Sequence, residues 1–437
     1  MSIKTWSVFA FVCSSFIFMN GCIEPQSAFS KIPPGIWRGV LYLRETPKVV
    51  KDKDEITYKT DYTGELPFNF EVIYDNDSIF HIEIINGEER IKVTDITFGK
   101  TKAMIKDTVT FGFPVYDTYL TASYEERVLE GFWHVNYREG YKIRFKAVHG
   151  DNARFKLPQA AVEADFTGRW ALDIDPETKD QFPGIAHLKQ AGNKITGTIE
   201  TETGDFRYLA GDVVGKKAYL SVFDGAHAYL FELKLMEDES ISGLYYSGKT
   251  YLVPLVGKRD ENAKLKDGFS MSKAKTGAPV SFVGTNSEGK TFSINDPANE
   301  DKIKLLLLMG TWCPNCKDAT IFLKDYLKEE NPQDVAIASI AFERYRDSSK
   351  LNTVLKTYKE RMEVPWDVML GGYYDKKEAS QTYGIIDSIK AFPTLLFLDQ
   401  KNQVRYVYTG FYGPATEEYQ RFNTEFKSKI ATLRDGK

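Results

Sequence analysis

The sequence predicts a multi-domain chain in which two antiparallel β-rich units, each a barrel or a sandwich, precede one α/β domain. Three observations predict it. From Gly35 to Lys258 the chain falls into short alternating strands separated by turn clusters such as Asn86-Gly87, Ala191-Gly192-Asn193 and Thr203-Gly204-Asp205, the pattern of antiparallel sheets. From Val280 onward apolar runs alternate with amphipathic helices, which implies right-handed crossovers and a mostly parallel centre covered on both faces. Finally, 437 residues with 42% apolar content exceed what one hydrophobic core normally serves.

The N-terminal segment reads as an address rather than a fold. Lys4 gives a short basic start, and Trp6 to Met19 is an apolar run of signal-peptide length, too short to span a bilayer as a helix. It ends in Met19-Asn20-Gly21-Cys22. That ending resembles a bacterial lipobox, with Met19 where leucine is usual. The resemblance implies a lipoprotein signal over residues 1–21, lipidation of Cys22, a tether over 22–34 and attachment to a membrane through a lipid anchor. Plain secretion and an uncleaved anchor are the alternatives. On the lipoprotein reading, Cys313 and Cys316 are the only thiols left in the folded protein, and an exported chain with one vicinal pair keeps it for exchange chemistry. The net charge of −4 argues against a nucleic-acid partner.

The β-rich region carries the same landmarks twice, which predicts unit 1 over 35–157 and unit 2 over 165–258. Gly35-Ile36-Trp37 answers Gly168-Arg169-Trp170, and the strand Ile79 to Ile84 answers Ile195 to Glu200. Gly99 to Met104 answers Gly215 to Tyr219, and Leu129 to Trp133 answers Ile241 to Tyr245. The Gly-x-Trp openings loosely resemble lipocalin-like small barrels. Phe111, Phe113, Tyr116 and Tyr119 are read as core packing rather than a ligand mouth. His81, His134, His149, His187 and His227 stand singly, at no metal-ligand spacing, and no metal is expected.

Residues 259–277, rich in Lys, Asp, Ser and Gly, suit an exposed linker. The domain over 278–437 opens with a hairpin around Ser287-Glu288-Gly289, followed by buried strands at Ile303 to Met309, Val335 to Ala341 and Thr394 to Asp399. Directly after the first of these strands stands Trp312-Cys313-Pro314-Asn315-Cys316. Ala319, Phe322, Leu323, Tyr326 and Leu327 then give the stripe of an amphipathic helix. Pro314 fits its first turn, where a missing N–H is no loss. A helix start stabilises a thiolate through its unpaired N–H groups and its dipole. Cys313, nearer that start, is the expected nucleophile, and Cys316 the resolving thiol. No histidine follows His227, so the helix start must do most of the lowering of the Cys313 pKa.

From Gly277 on, the chain resembles the thioredoxin fold, specifically the TlpA/ResA-type thiol-disulfide oxidoreductases of the bacterial envelope. The marks are the opening hairpin, the Trp-Cys-x-x-Cys pair, Val364-Pro365-Trp366 before a strand, and Phe392-Pro393-Thr394 before the last buried strand. The resemblance implies a cis proline at Pro393 facing the cysteines. It also implies a substrate-binding surface of Trp312, Phe392, Pro393 and Thr394, where the Phe392 backbone pairs with an extended peptide. No cofactor is expected. The implied partners are disulfide-containing envelope proteins and an integral-membrane thiol reductant, with the protein lipid-anchored and facing the periplasm.

The absence of a histidine between the cysteines, unlike the strongly oxidising DsbA, points to a protein-disulfide reductase. One departure from the family stands out: where many TlpA-like proteins carry a glutamate three residues after the second cysteine, this chain has Ala319. Asp318 is next door but about 100° around the helix and is expected to face water. Glu343, at the C-terminal end of its strand, is better placed as the proton acceptor for Cys316. Three rivals stand beside this reading. A structural zinc site wants four ligands, a peroxiredoxin-like peroxidase wants a Pro-x-x-x-Thr-x-x-Cys arrangement that is missing here, and a ligand- or partner-binding lipoprotein would use the redox domain only as an accessory.

Overall fold

The computed structural model describes residues 32–44, 64–76, 78–100, 106–275, 279–383 and 385–436. The expected signal segment, Cys22 and most of the tether lie outside the described residues, as does part of the Gly99 to Met104 landmark. Among the described residues no helix is long and apolar enough to cross a membrane.

Unit 1 is one antiparallel sheet of β1 (Gly35–Tyr42), β2 (Glu65–Tyr74), β3 (Phe80–Asn86), β4 (Glu89–Val93), β5 (Ile96–Lys100), β6 (Asp107–Phe113), β7 (Thr118–Glu125), β8 (Val128–Val135) and β9 (Lys142–His149). Its order is β4-β3-β2-β1-β9-β8-β7-β6-β5, so the sheet curls as a half-barrel that stays open between β4 and β5. Unit 2 contains β10 (Gly168–Ile174), β11 (Phe182–Ala191), β12 (Lys194–Thr201), β13 (Gly204–Asp205), β14 (Leu209–Val214), β15 (Lys217–Phe223), β16 (Ala228–Leu235), β17 (Ile241–Ser247) and β18 (Tyr251–Arg259). Here β11 pairs with both β10 and β12, which closes eight strands into a barrel and leaves β13 as a short extension beside β12. Three of the repeated landmarks occupy corresponding first, third and eighth strands of the two units. The two tryptophans even share a bond: Trp37 Nε1 donates to Pro33 O at 3.0 Å and Trp170 Nε1 to Phe166 O at 2.9 Å.

An open half-barrel has an apolar hollow that something must fill, and the outer face of unit 2 fills it. On β15, Leu220 and Val222 point into the closed barrel. Tyr219 and Phe223 point out of it, into the core of unit 1, together with Leu230 and Tyr246. Every residue from Ala218 to Phe223 is therefore buried, whereas a barrel strand in water would keep one wet face. Phe223 lies 4.6 Å from Phe68, 5.8 Å from Phe113 and 5.3 Å from Trp133, centroid to centroid. Around Arg154 the polar groups trapped at this seam are paired, as buried polar groups usually are, whereas the buried Trp133 Nε1 has no partner among the described residues. Arg154 donates to Ser221 Oγ (3.0 Å), Ser221 O (2.9 Å), Ile85 O (2.8 Å) and Asn86 Oδ1 (3.2 Å). Asn86 Nδ2 in turn donates to Phe223 O at 2.8 Å.

Residues 259–277 are not merely a linker, because α1 (Gly268–Met271) lies among them and seats Phe269 4.8 Å from the Tyr408 ring. The α/β domain follows, with a two-stranded hairpin of β19 (Val283–Thr285) and β20 (Thr291–Ser293). Its centre is built from β21 (Ile303–Met309), α2 (Pro314–Glu330), β22 (Val335–Glu343), α3 (Ser348–Arg361), β23 (Asp367–Tyr373), α4 (Lys376–Tyr383), β24 (Thr394–Leu398), β25 (Val404–Thr409) and α5 (Glu417–Arg434). The sheet order is β23-β22-β21-β24-β25. β21, β22 and β23 are parallel, while β24 and β25 run antiparallel to their neighbours. All seven residues of β21 are buried, as a central strand covered on both faces requires.

Phe223 contributes its ring to the half-barrel and not to the interior of the barrel that carries it. Phe223→Ala should therefore destabilise unit 1 by about 3–5 kcal/mol and lower one unfolding transition in calorimetry. A single unshifted transition would contradict the shared core.

Candidate active site

The end of β21 leads through Gly310, Thr311 and Trp312 to Cys313, which is the N-cap of α2 in an extended conformation (φ −106°, ψ 111°). Its sulfur accepts a hydrogen bond from the Cys316 N–H at 3.2 Å, and the two cysteines are joined as a disulfide. Cys313 is 7% exposed and Cys316 is fully buried, so of the two only Cys313 offers its sulfur to an incoming group. Opposite lies the loop before β24, where the Phe392-Pro393 peptide is cis and Phe392 O sits 3.5 Å from Cys313 Sγ. Trp312 stands on the same side, its ring edge-on to Phe392 at 6.2 Å and its Nε1 donating to Phe342 O at 3.0 Å. Thr394 is fully buried, and its hydroxyl donates back to Ala391 O at 2.8 Å, so its side chain braces the loop.

Glu343 terminates β22 and is 2% exposed. One carboxylate oxygen accepts from Thr311 N at 2.8 Å and the other from Thr311 Oγ1 at 2.9 Å. The carboxylate thus grips the chain two residues ahead of Cys313. Burial pushes its pKa up to about 7, against the opposing pull of the two Thr311 bonds. Behind Cys316, Thr320 Oγ1 donates to Cys316 O at 2.9 Å and meets Tyr358 Oη at 2.8 Å. The back-bond from Thr320 was readable from its i+4 spacing; Tyr358, on α3, carried no sequence signal.

Residues 276–407 match the sequence model of the AhpC/TSA family. No curated protein matches the chain significantly. Solved structures similar to it include a thiol-disulfide oxidoreductase from Bacteroides fragilis, 19% identical, covering 33% of this chain and 98% of its own, with a TM-score of 0.26. A thioredoxin-family thiol:disulfide interchange protein from Chlorobium tepidum is 20% identical over 35% of this chain and 97% of its own, with a TM-score of 0.25. The exposed lipoprotein thioredoxin of Streptococcus pneumoniae is 16% identical over 36% and 98%, also at 0.25. The C-terminal region has a thioredoxin-like fold.

The β-units reach the active-site helix of this thioredoxin-like domain, and that overturns one expectation. Asp318 does not face water: it is 8% exposed and pairs with Arg207 of unit 2 at 2.7 Å. Helical geometry alone turned Asp318 away from its own domain, but unit 2 covers that face. Arg207 also pairs with Glu89 of unit 1 and lies 3.7 Å from Asp224. Burial opposes its charge, yet Asp318, Glu89 and Asp224 hold its pKa well above the ordinary value. On the same hairpin Asp205 accepts from Gly413 N at 2.6 Å and Arg207 N at 2.8 Å, and burial raises its pKa to about 6. Gly204 has a positive φ of +148°, and a Cβ there would collide with Asn315 Nδ2 and lie 2.8 Å from Phe411 O. Only glycine lets this hairpin approach the Cys-x-x-Cys turn so closely.

Glu343 supplies a pH dependence whose sign follows from its raised pKa. Between the ordinary carboxyl value of 4.5 and the native value of about 7, the folded chain holds a proton that the unfolded chain has released. Stability is then fullest below pH 4.5 and is lost as pH rises through about 7. Glu343→Gln retains the shape, its amide oxygen accepting from Thr311 N and its amide N–H donating to Thr311 Oγ1, and should flatten that fall by an amount on the order of 3 kcal/mol. Denaturant titrations of both proteins across pH 4 to 8 read the difference directly; parallel curves would mean that Glu343 is already ionised in the fold.

Proposed function

We propose that the chain is a thiol-disulfide oxidoreductase of the bacterial cell envelope that reduces disulfides of exported proteins and is tethered by a lipid on Cys22. The observation that carries this reading is the Cys313–Cys316 disulfide at the N-terminus of α2, with the Cys316 N–H on Cys313 Sγ and Phe392-Pro393 opposite. In the reduced protein the N–H groups of the first turn favour the Cys313 thiolate. This thiolate attacks one sulfur of a client disulfide; a bond forms between Cys313 and that sulfur, and the other client cysteine leaves as a thiolate. Cys316 then gives up its proton and attacks Cys313, which restores the internal disulfide and expels the second client thiolate. Two electrons and two protons pass to the client, and a membrane thiol reductant restores the dithiol.

Glu343 is kept as the proposed proton acceptor for Cys316 on its place at the end of β22, where it holds Thr311 just ahead of the cysteine turn; a pKa raised to about 7 suits exchange near neutrality. Trp312, Phe392 and Pro393 form the surface that receives the client, and Thr394 holds their loop. An accessory role beside a binding function of the β-units would be favoured if a Cys313→Ser, Cys316→Ser double variant kept the cellular function.

The chain carrying Cys13→Ser and Cys22→Ser, equilibrated with dithiothreitol or glutathione buffers, should show one two-electron couple near the thioredoxin value of about −270 mV; one near about −120 mV would assign an oxidase. In single-turnover reactions Glu343→Gln should slow resolution of the mixed disulfide and spare the first attack. Equal rates in both steps would remove Glu343 from the mechanism.

A further inference from the structure

Arg344 follows Glu343 at the end of β22, and its guanidinium is enclosed by rings rather than by acids. It lies 4.1 Å from the Trp312 ring centroid, 4.3 Å from Tyr374 and 5.1 Å from Tyr137 of unit 1. None of its N–H groups meets an acceptor among the described residues, and its Nε is shut off from solvent without a partner. The neighbouring carboxylates are engaged elsewhere: Glu343 holds Thr311, and Asp117 holds Tyr345 and Asn136.

Such an arrangement is unusual for a structural arginine. Cation–π contact offsets part of the cost of half-burying the charge, but it engages the faces of the guanidinium and leaves its in-plane N–H fork for another group. A planar fork with no acceptor matches a carboxylate, which accepts two parallel N–H bonds. The position is equally telling. Trp312 touches Arg344 on one side and is the residue before Cys313 on the other, so an extended chain whose sulfur meets Cys313 passes the indole and reaches Arg344 within one or two residues, at roughly 3.3 Å each. Tyr137 sits on the β8–β9 turn beside Arg138, whose guanidinium lies over Tyr141 at 4.9 Å. Unit 1 therefore supplies one wall of the cleft and a second positive charge at its rim.

We propose that Arg344, in its box of Trp312, Tyr374 and Tyr137, is a specificity-determining residue that binds a carboxylate of the client peptide next to the cysteine under attack. This rests on the reading of Cys313 as the attacking thiol. The carboxylate is that of an aspartate or glutamate side chain or of a peptide C-terminus, and the two are separable by experiment.

The test uses the full chain with Cys13→Ser, Cys22→Ser and Cys316→Ala, which leaves Cys313 as the sole thiol. The probes are short peptides with one cysteine activated as the neutral 2-pyridyl disulfide. The Cys313 thiolate forms a bond to the peptide sulfur, the bond to the pyridine sulfur breaks, and 2-thiopyridone is released and followed by its absorbance. Peptides with aspartate beside the cysteine should react about tenfold faster than asparagine counterparts at low salt, the size expected of one charge-assisted pair. Free-acid against amidated C-termini read the second source of carboxylate in the same way. Arg344→Gln should bring every ratio near one, each ratio being taken within one variant so that any change in the neutral-peptide rate cancels, and Arg344→Lys, which keeps the charge without the fork, should restore part of the preference. A ratio near one in the parent, or a preference that survives in Arg344→Gln, overturns the proposal while leaving the redox reading intact. Failure of Cys313 to react with any peptide overturns both.

Discussion

The arrangement of the molecule depends on one buried guanidinium. Arg207 comes from unit 2, Glu89 from unit 1 and Asp318 from the first turns of the active-site helix, and Asp224 lies on the far side. Desolvating such a charge is expensive, and removal of one partner from a buried pair typically destabilises by about 3–5 kcal/mol. The cluster therefore penalises separation of any one unit from the other two, since each departure strands a charge. Directional bonds surround it: Tyr412 Oη donates to Thr201 O at 2.7 Å, and Gly413 N to Asp205 at 2.6 Å. Apolar contact alone would allow the units to slide; these bonds fix the register of the hairpin against the start of α5.

The half-barrel adds a second dependence of a different kind. Because unit 1 is open between β4 and β5, its core is complete only when the outer face of unit 2 is seated in it. This explains why Ala218 to Phe223 on β15 and Ala228 to Phe231 on β16 are buried on both faces, although each strand belongs to an antiparallel barrel. A second copy of a closed barrel would not need such strands. The two units share an opening Trp with the same indole bond, and they differ in closure.

Local features were legible in the sequence because local physics produces them. The run Ile303 to Met309, the Cys-x-x-Cys turn with Pro314 in the first helical turn and the stripe from Ala319 to Tyr326 all fall where the pattern put them. The position of Glu343 at a strand end was also legible, but its burial and its grip on Thr311 were not, because both depend on how the turn before Cys313 folds back. Asp318 shows the limit most clearly. Its place around the helix was read correctly, yet its partner lies 111 residues away in another unit, and no periodicity encodes that. Arg207 and Arg344 gave no signal for the same reason: isolated arginines in β-patterned sequence are ordinarily solvated.

On the proposed function, the β-units would act on the redox site through access. Thiol-disulfide exchange needs the attacking sulfur in line with the bond it breaks, and at Cys313 that line runs past Trp312 and the Phe392 carbonyl. On one side the hairpin carrying Gly204 closes over Asn315; on another the turn carrying Tyr137 approaches Arg344. Both walls belong to units that the Arg207 cluster holds in place. On the proposed function, such walls would turn away a broad folded surface and admit an extended segment, with the backbone at Phe392 to pair with it. On that reading the barrels would add no chemistry of their own to the exchange and would act by shaping the approach to Cys313.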